Sequence, residues 1–486
     1  MNYKMIGRFI ARIMSVEAVF MLPALLISIA NGEQNAVFGF LITLAVLIPV
    51  TALLFLLSRK ASGGFYAREG LVCVSISWII MSLFGCLPFW FSGEIKSFID
   101  AFFEIVSGFT TTGASILPEV ESLSKGILYW RSFSHWRGGM GGLVFLLAIA
   151  PSAEKSDGFT MHIMRAESPG PNVGKLVPRM KKTAAILYIL YVVLTVLNVI
   201  FLLIGGMPLF DSVCTAFGTA GTGGFGTRND SIASFSPYLQ NVCTVFMLLF
   251  GINFGCYHLI IMRQFKTVLF DEELRLYAGI FVGSTALITL NLCLNNIYGS
   301  VGETIRHSAF QVSSIMTTTG FATTDFDLWP SFSKAILLIL MFTGACAGST
   351  GGGIKCARLL LLLKNLRRNI HKIIHPQRIQ AVRVNGRTVN ERVLDNTNSY
   401  LAAYVLIVVT SFMVISLDGF SVTTNFSAVM ACFNNIGPGL EVVGPTCNYA
   451  GFSPMSKIVL IADMLAGRLE IFPMLILLFR STWKKK

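Results

Sequence analysis

The sequence is dominated by long stretches that carry few or no charged residues. Each runs for about 20 residues, the length that an α-helix needs to cross the hydrocarbon core of a bilayer; clear examples are residues 6–30, 37–57, 184–203 and 401–417. A large soluble core would need helices with polar faces, and these stretches have none. Only 13% of the 486 residues are charged, about half of what a soluble protein carries. The chain is therefore predicted to be an all-α polytopic membrane protein.

The charge distribution indicates membrane orientation rather than nucleic acid binding, although the net charge is +13. Basic residues gather in alternate connections, whereas the other connections hold scattered acids. The basic segments are residues 59–68, 155–182, 263–275, 364–392 and 480–486. This asymmetry follows the positive-inside rule. It predicts that both termini and the basic connections are cytoplasmic, with anionic lipid headgroups as their default partner.

The ten cysteines show no paired spacing that would indicate a metal site. Most of them fall inside apolar segments, where a buried, unreactive thiol is expected; examples are Cys73, Cys86, Cys243 and Cys293. The first apolar segment is too long for a signal peptide and lacks a small-residue cleavage site, so it is expected to remain as a helix.

Four segments of the chain resemble one another, at intervals of roughly a hundred residues. They are DAFFEIVSGFTTTGAS from Asp100, DSVCTAFGTAGTGGFG from Asp211, HSAFQVSSIMTTTGFA from His307 and NFSAVMACFNNIGPGL from Asn425. Each is a short apolar run followed by a hydroxyl- or amide-rich stretch with a central glycine, and each lies between two long apolar segments. The central glycines are Gly113, Gly224, Gly320 and Gly437.

The short apolar runs predict half-helices that enter the membrane and stop inside it, because they are too brief to span it. The C-terminal end of such a helix favours a cation. The backbone that follows is tolerated at that depth only if it is buried in protein or lines an aqueous path. Four such loops around one axis would make a ring of carbonyl oxygens of the kind that selects alkali cations. The alternative is that the Gly/Thr clusters are helix-packing surfaces. One such cluster would favour packing, but four clusters, each between a short apolar run and a long one, favour the filter.

These motifs resemble the TrkH/KtrB branch of the Trk/Ktr/HKT potassium transporters, and TrkH more closely. The segments that carry the resemblance are VSGFTTTGAS, GTGGFGT, TTTGFATTDF, NNIGPGLEVVGP, HWRGGMGGLVFLLAIAP, TGACAGSTGGGIK and AGRLEIFPML, which cover nearly the whole chain. The resemblance implies four pseudo-symmetric repeats of helix, pore loop and helix around a central cation pore. Two extra transmembrane helices, at about 6–30 and 36–58, would precede them.

The expected division of the chain follows from this resemblance. It comprises the two N-terminal helices at 1–60, the first repeat at 61–155, the second repeat with a basic loop at 156–268, the third repeat with a gating loop and a basic loop at 269–398, and the fourth repeat at 399–486.

The resemblance also implies which residues hold potassium. They are Thr111, Thr112 and Gly113; Thr222, Gly223 and Gly224; Thr318, Thr319 and Gly320; and Asn435, Ile436 and Gly437. The fourth loop departs most from the pattern, since it lacks threonine and contains prolines, so its expected contribution is its backbone. In this superfamily, serine in place of the first filter glycine is associated with sodium transport. All four positions are glycine here, which favours potassium.

A second glycine cluster follows the third repeat, in the segment GACAGSTGGG at residues 344–353. So many glycines in the middle of a membrane segment cannot form a stable helix, and such backbone must be buried or face the pore. By resemblance it is an intramembrane gating loop, with Gly344, Gly348, Gly351, Gly352, Gly353 and Lys355 as gate residues. A phosphate-binding loop is the alternative, but the lysine comes one place late and Cys356 stands where Ser or Thr should follow.

Charged residues near the predicted pore are further candidates. Arg468 lies in an apolar segment beside Glu470, and an intramembrane charge is by default a functional candidate. The resemblance implies that it faces the pore as part of the gate, and the alternative is a structural Arg468–Glu470 ion pair. Asp325 and Asp327 follow the third loop, where they could either concentrate cations at the pore mouth or be solvated loop charges.

The expected function is potassium uptake through a gated, channel-like pore in a bacterial inner membrane. The alternative is a secondary transporter that couples potassium to sodium or protons, for which Glu104 and His135 are the nearest candidates. No catalytic motif supports an enzyme. The resemblance further implies a homodimer and a cytosolic TrkA-type regulatory ring, through which ATP/ADP or NAD would act. No covalently bound cofactor is expected. The basic segment HPQRIQAVRVNGRTVNERVLD is predicted to be ordered, with a turn at Asn385–Gly386, which favours a protein docking surface.

Overall fold

The computed structural model describes residues 1–59, 67–139, 141, 180–377 and 380–484. Within these ranges the protein is mostly helical, with one short hairpin, and six helices are long and apolar enough to cross a membrane. A seventh span is possible if the pair Pro237–Gly251 and Phe254–Ile261, bent by 88°, is counted as one. The prediction of an all-α polytopic membrane protein is therefore confirmed. Residues 155–179 of the predicted basic connection lie outside the described residues. So do the residues of the HWRGGMGGLVFLLAIAP segment after Gly139, except Gly141.

The chain begins with two long antiparallel helices, α1 (Tyr3–Ala30) and α2 (Gln34–Leu57). A turn of three residues joins them. Their bounds agree with the expected extra helices at about 6–30 and 36–58.

Four times, the described chain then repeats one order of elements: a long helix, a short helix, a glycine loop and a second helix. The long helices are α3 (Ala67–Gly85, extended by α4, Leu87–Phe91), α7 (Met180–Ile204), α12 (Glu272–Leu294) and α16 (Glu391–Ile415). The short helices are α5 (Phe98–Phe109), α8 (Leu209–Gly221), α13 (Val301–Met316) and α17 (Val422–Phe433). The second helices are α6 (Lys125–Gly139), α9 (Pro237–Gly251), α14 (Ser331–Thr343) and α18 (Pro454–Arg468). We call the segments around Gly113, Gly224, Gly320 and Gly437 the glycine loops.

The second helices of the last three repeats are each interrupted and then resume. The continuations are α10 (Phe254–Ile261), α15 (Cys356–Ile374) and α19 (Phe472–Leu478). The interruption between α14 and α15, residues 344–355, is the predicted gating segment, and we call it the intramembrane loop. Shorter elements complete the described chain: α11 (Phe265–Leu269), α20 (Arg480–Trp483), the hairpin of β1 (Arg383–Val384) and β2 (Arg387–Thr388), and 3-10 turns at Phe326–Leu328, Ser416–Asp418 and Glu441–Val443.

Side-chain caps set the starting points of three of the short helices. Ser97, Ser300 and Ser421 each accept a hydrogen bond from the backbone three residues on, which satisfies an amide that the helix leaves unpaired. The helix α8 instead follows Pro208 and has no side-chain cap. These caps fix where each short helix enters the bundle and therefore where it ends.

Candidate ion filter and gate

All four short helices end with the same backbone motif. The amide of the residue before each central glycine donates to a carbonyl five residues back: Thr112 to Ser107, Gly223 to Gly218, Thr319 to Ser314 and Ile436 to Ala431, at 2.8–2.9 Å. The residue before that is left-handed in every repeat, with φ of 56° at Thr111, 56° at Thr222, 59° at Thr318 and 55° at Asn435. This is a Schellman ending in which a side-chain-bearing residue takes the place that glycine usually occupies.

The glycine loops abut one another in a closed cycle. A methyl group built on Gly113 would lie 2.0 Å from the carbonyl oxygen of Gly223, and one on Gly224 would lie 2.1 Å from that of Thr319. The same construction on Gly320 meets the oxygen of Ile436 at 2.2 Å, and on Gly437 it meets that of Thr112 at 2.7 Å. Each glycine thus makes room for the carbonyl that precedes the next glycine, and the fourth loop returns to the first. The structure brings the predicted filter residues together in one ring.

The threonine triplets divide their hydroxyl groups between two roles. In the first loop, Thr110 bonds the carbonyl of Val106 at 2.6 Å and the hydroxyl of Thr112 at 2.7 Å. In the third loop, Thr317 makes the same bonds to Ser313 at 2.7 Å and Thr319 at 2.8 Å. The outer two threonines of each triplet therefore brace the loop. The middle threonine is left for another partner.

The left-handed positions all carry side chains with an oxygen atom, from Thr111, Thr222, Thr318 and Asn435. Among the described residues, Thr111 Oγ1 and Asn435 Oδ1 are buried without a hydrogen-bond partner. Asn435 uses its amide nitrogen instead, donating to Thr112 Oγ1 and to the carbonyl of Met464, both at 3.0 Å. Asn435 therefore presents an amide oxygen where the other loops present a hydroxyl. The expectation that the fourth loop contributes through its backbone stays a prediction.

A cavity lies above the ring and is lined by all four central glycines. Asp325 and Asp327 lie nearby but have structural partners. Asp325 caps the turn at Asp327 with a 3.0 Å bond, and Asp327 pairs with Lys334 at 3.5 Å and accepts from the amide of Glu441. These bonds order the outer loops of the third and fourth repeats.

Glu104 of α5 holds the first glycine loop in place by hydrogen bonds. Its carboxylate accepts from Arg131 Nε at 2.6 Å, from Ser115 Oγ at 3.0 Å and from the amide of Ile116 at 2.9 Å. Arg131 also donates to the carbonyl of Gly226 and lies 3.5 Å from the centre of the Phe225 ring. One buried ion pair thus connects the first two glycine loops, and sequence reasoning missed Arg131.

His135 is also engaged on both sides of its ring. Its Nδ1 lies 2.8 Å from the carbonyl oxygen of Gly108, which can only accept, so this nitrogen carries the proton. Its Nε2 accepts from the amide of Phe225 at 3.2 Å. The imidazole therefore joins the first short helix to the second glycine loop as a structural bridge.

The intramembrane loop lies directly against the ring. The amide of Gly352 donates to Thr318 Oγ1 at 2.6 Å, which gives the middle threonine of the third triplet its partner. Methyl groups on Gly351 and Gly352 would lie 2.8 Å from the carbonyl of Thr317 and 2.5 Å from that of Asn434. The loop therefore occupies the space beneath the third and fourth quarters of the ring. Left-handed φ values of 66° at Gly344, 74° at Gly348 and 75° at Gly353 let the chain turn there.

Two cationic side chains, the buried Lys355 and the half-buried Arg468, hold this loop. Lys355 donates to the carbonyl of Gly351 within the loop itself. Arg468 donates to the carbonyl of Thr350 at 2.8 Å and, on its other side, to those of Gly138 at 2.5 Å and Gly139 at 2.8 Å. Arg468 therefore ties the loop to the end of α6, which lies across the bundle in the first repeat.

Glu470 forms an ion pair with a residue other than Arg468. The alternative Arg468–Glu470 pair is not formed, because Glu470 pairs with Arg358 of α15, whose guanidinium lies 4.0 Å from the Tyr400 ring centre. Nor is the last helix continuous. It ends at Arg468, and Glu470 and Ile471 have positive φ values of 60° and 66° before α19 begins.

Other buried charges escaped the sequence analysis. Arg137 lies 3.9 Å from Glu17 of α1, and both side chains are buried. Asp463 accepts from Ser411 at 2.7 Å, while its second oxygen has no hydrogen-bond partner among the described residues. The rule that singled out Arg468, that a charge in an apolar segment is exceptional, would have found all three. The thiol expectation holds for Cys73, Cys86 and Cys243, whereas Cys293 is only partly buried.

Comparison with known proteins gives consistent results along the whole chain. The TrkH family model, described as a cation transport protein, matches residues 36–484. The Trk system potassium uptake protein TrkH of Salmonella typhimurium is 36% identical over 491 residues, covering 100% of both chains. The protein of that name from Escherichia coli is 38% identical over 447 residues, covering 91% of this chain and 92% of its own. The crystal structure of the potassium transporter TrkH from Vibrio parahaemolyticus matches with a TM-score of 0.89 at 33% identity, covering 100% of both chains.

Proposed function

The chain belongs to the TrkH family of cation transport proteins, and from that premise we propose that it takes up potassium through a gated, channel-like pore. Like its relatives, it is a membrane transporter and not an enzyme. The closed cycle of glycine loops carries the proposal. Four backbone segments abutting around one axis are the arrangement in which carbonyl oxygens replace the hydration shell of an alkali cation.

The proposed filter has two layers. The outer layer is the ring of carbonyl oxygens that precede the glycines, from Thr112, Gly223, Thr319 and Ile436. The inner layer consists of the left-handed residues. Two of them, Thr111 and Asn435, have a buried side-chain oxygen with no hydrogen-bond partner among the described residues, and these oxygens would be neutral ligands for a dehydrated cation. Neutral oxygen ligands suit an ion that must bind and leave quickly. We therefore assign potassium binding to these residues and the four glycines.

The intramembrane loop is the proposed gate. It fills the space under the ring, and Arg468 holds it to α6 by three hydrogen bonds. A fixed positive charge at this level raises the barrier for a cation, so loop and charge restrict flow together. Opening requires the loop to leave the ring, which would break the bond between Gly352 and Thr318.

Regulation and assembly are proposed from the family resemblance and the charge pattern. The protein is placed in the bacterial inner membrane with both termini and the basic segments on the cytoplasmic side. The hairpin and the basic helix α15 offer a docking surface for a TrkA-type ring, through which nucleotide would act, and the protein would work as a homodimer.

The two residues that the sequence offered for coupled transport, Glu104 and His135, both make structural bonds. Glu104 is neutralised by Arg131, and both ring nitrogens of His135 are in use. A carboxylate or imidazole that carries a coupling ion must exchange partners during the cycle, which these bonds would resist.

The test is flux into proteoliposomes that contain the purified protein alone. Uptake of potassium, rubidium and sodium would be compared under an imposed membrane potential with no sodium or proton gradient. Uptake that follows the potential and favours potassium and rubidium is expected. Uptake that requires a sodium or proton gradient would reject the passive pore and favour coupled transport.

A further inference from the structure

The hairpin of β1 and β2 is an ordered element with its own small core. Its strands pair Arg383 with Thr388 and Val384 with Arg387. The turn residues Asn385 and Gly386 have φ of 50° and 73°, as a two-residue hairpin turn requires, and this confirms the turn predicted from the sequence. Beside the hairpin, Val382 packs with Leu361 of α15 and Leu394 of α16. The hairpin is thus anchored to the helices that flank it.

The hairpin turn also grips the first turn of another helix, α12. Asn385 Nδ2 donates to Asp271 Oδ2 at 2.7 Å, and its Oδ1 accepts from the amide of Glu272 at 2.9 Å. Asp271 uses its other oxygen to cap α12 at the amide of Leu274. Lys364 adds a third connection, because it pairs with Glu272 and donates to the carbonyl of Arg383 at 2.7 Å. These bonds make the hairpin and the start of α12 one unit.

The next residue of α12 reaches the intramembrane loop. Glu273 is buried, and its Oε1 accepts from the amide of Ala347 at 2.5 Å. The neighbours of Ala347 are bound to the break between α9 and α10: Cys346 donates to the carbonyl of Gly251 at 3.0 Å, and the carbonyl of Gly348 accepts from Phe254 at 3.1 Å. Ala347 is therefore the point at which this end of the loop is held by a side chain from the hairpin-bound helix.

We propose that Glu273 is a positioning residue for the gate, which ties the placement of the intramembrane loop to that of the hairpin through Asn385 and the first turn of α12. This inference rests on the proposed function, since it assumes that the loop is the gate. A displacement of the hairpin moves Asp271 and Glu272, and with them the carboxylate that holds Ala347. Loss of that bond releases the loop from the position in which it blocks the ring.

The test is basal rubidium flux in proteoliposomes that contain the full chain. Glu273→Leu removes the acceptor at similar size and is expected to raise flux several-fold, whereas Glu273→Gln keeps an acceptor oxygen and should stay near the wild-type level. Asn385→Ala should raise flux as well, although Asn385 belongs to the hairpin and not to the ring. Combined with Glu273→Leu, it should add little, because both changes break one path. Thr388→Ala, on the other strand of the hairpin, is the control and should not change flux.

A second readout separates loop release from general damage. Labelling of Cys346 by a small water-soluble thiol reagent, read by mass spectrometry, should rise in Glu273→Leu and in Asn385→Ala. The rubidium-to-sodium ratio should stay at the wild-type value, because the ring is untouched. A merely destabilised protein would lose that ratio.

The outcomes distinguish this inference from the gate on which it rests. If Arg468→Gln raises flux but Asn385→Ala and Glu273→Leu leave both flux and Cys346 labelling unchanged, the inference is overturned and the gate stands. If Arg468→Gln also fails to raise flux, the gate itself is overturned. Should Glu273→Leu not fold, Asn385→Ala alone decides, since its side chain is at the surface.

Discussion

Arg131 and Glu104 form a buried ion pair behind the first glycine loop, with Nε 2.6 Å from Oε1. Because Arg131 also donates to the carbonyl of Gly226 at 3.1 Å, the pair fixes the spacing between two quarters of the ring. A buried charge that loses its partner is strongly unfavourable, so the spacing of these two glycine loops depends on both residues being present.

Removal of either partner should destabilise the protein by about 3–5 kcal/mol. We expect Glu104→Gln and Arg131→Met each to lower the melting temperature in detergent and to reduce potassium flux, and the double variant to lose less than the sum of the two. The control is Glu391→Gln, which breaks a pair with Arg368 that is exposed on the glutamate side and should cost below about 1 kcal/mol. Strict additivity in the double variant would contradict a direct coupling.

A side chain on a central glycine should disrupt selectivity before it disrupts folding. Gly224→Ala places a methyl group 2.1 Å from the carbonyl oxygen of Thr319 at a φ of 75°, so that carbonyl must move away from its position in the ring. We expect the rubidium-to-sodium flux ratio to fall towards one. Gly279→Ala serves as the matched control, because nothing lies within 4 Å of the added methyl in a helix. An unchanged ratio in Gly224→Ala would mean that this carbonyl is not part of the filter.

Arg468 should restrict flow through both its charge and its hydrogen bonds. A unit charge about 8 Å from an ion contributes about 2 kcal/mol at an effective dielectric constant of about 20, so Arg468→Gln should raise flux by about 30-fold. Arg468→Lys keeps the charge but cannot span the carbonyls of Thr350 and Gly138 together, and we expect an intermediate flux. Equal flux in the two variants would show that the charge has no separate effect.

A variant of Asp463 tests the coupled-transport alternative. Among the described residues of the last repeat, Asp463 is the carboxylate that has a buried oxygen without a hydrogen-bond partner. Asp463→Asn keeps the shape and an acceptor for Ser411. For a passive pore we expect potential-driven potassium flux to stay within about two-fold of wild type at every external pH and sodium concentration. A dependence on a proton or sodium gradient that disappears in the variant would support coupling through this residue.

The outer end of the fourth repeat should loosen in acid. The hydroxyls of Ser421 and Thr424 donate to the Glu441 carboxylate and hold the pKa of Glu441 below its ordinary value of 4.5. The folded state therefore favours the charged form, and this stabilisation is present above pH 4.5 and is lost as the pH falls further. We expect hydrogen-exchange protection around Val443, corrected for intrinsic rates, to drop between pH 7 and pH 3.5. Glu441→Gln should show no such drop.

The sequence was sufficient for the elements whose signals are local. The long helices follow from uninterrupted apolar stretches, the short helices and glycine loops from a fourfold repetition, and the hairpin turn from Asn385–Gly386. Partners of buried charges could not be obtained in this way. Glu470 pairs with Arg358 and Arg131 with Glu104, and such pairings depend on how distant helices pack. The hydrogen bonds of Asn435 to Thr112 and Met464 could not be predicted for a similar reason, because they join segments that are distant in the sequence.

The four glycine loops differ in ways that only a single chain permits. A pore made of four identical subunits must accept every substitution four times, whereas here asparagine replaces threonine in one quarter and a glycine-rich interruption follows another. Covalent linkage of the repeats thus lets each of the four glycine loops carry its own residues. One repeat can therefore carry the intramembrane loop and another the residues that hold it, while the cycle of glycine loops stays closed.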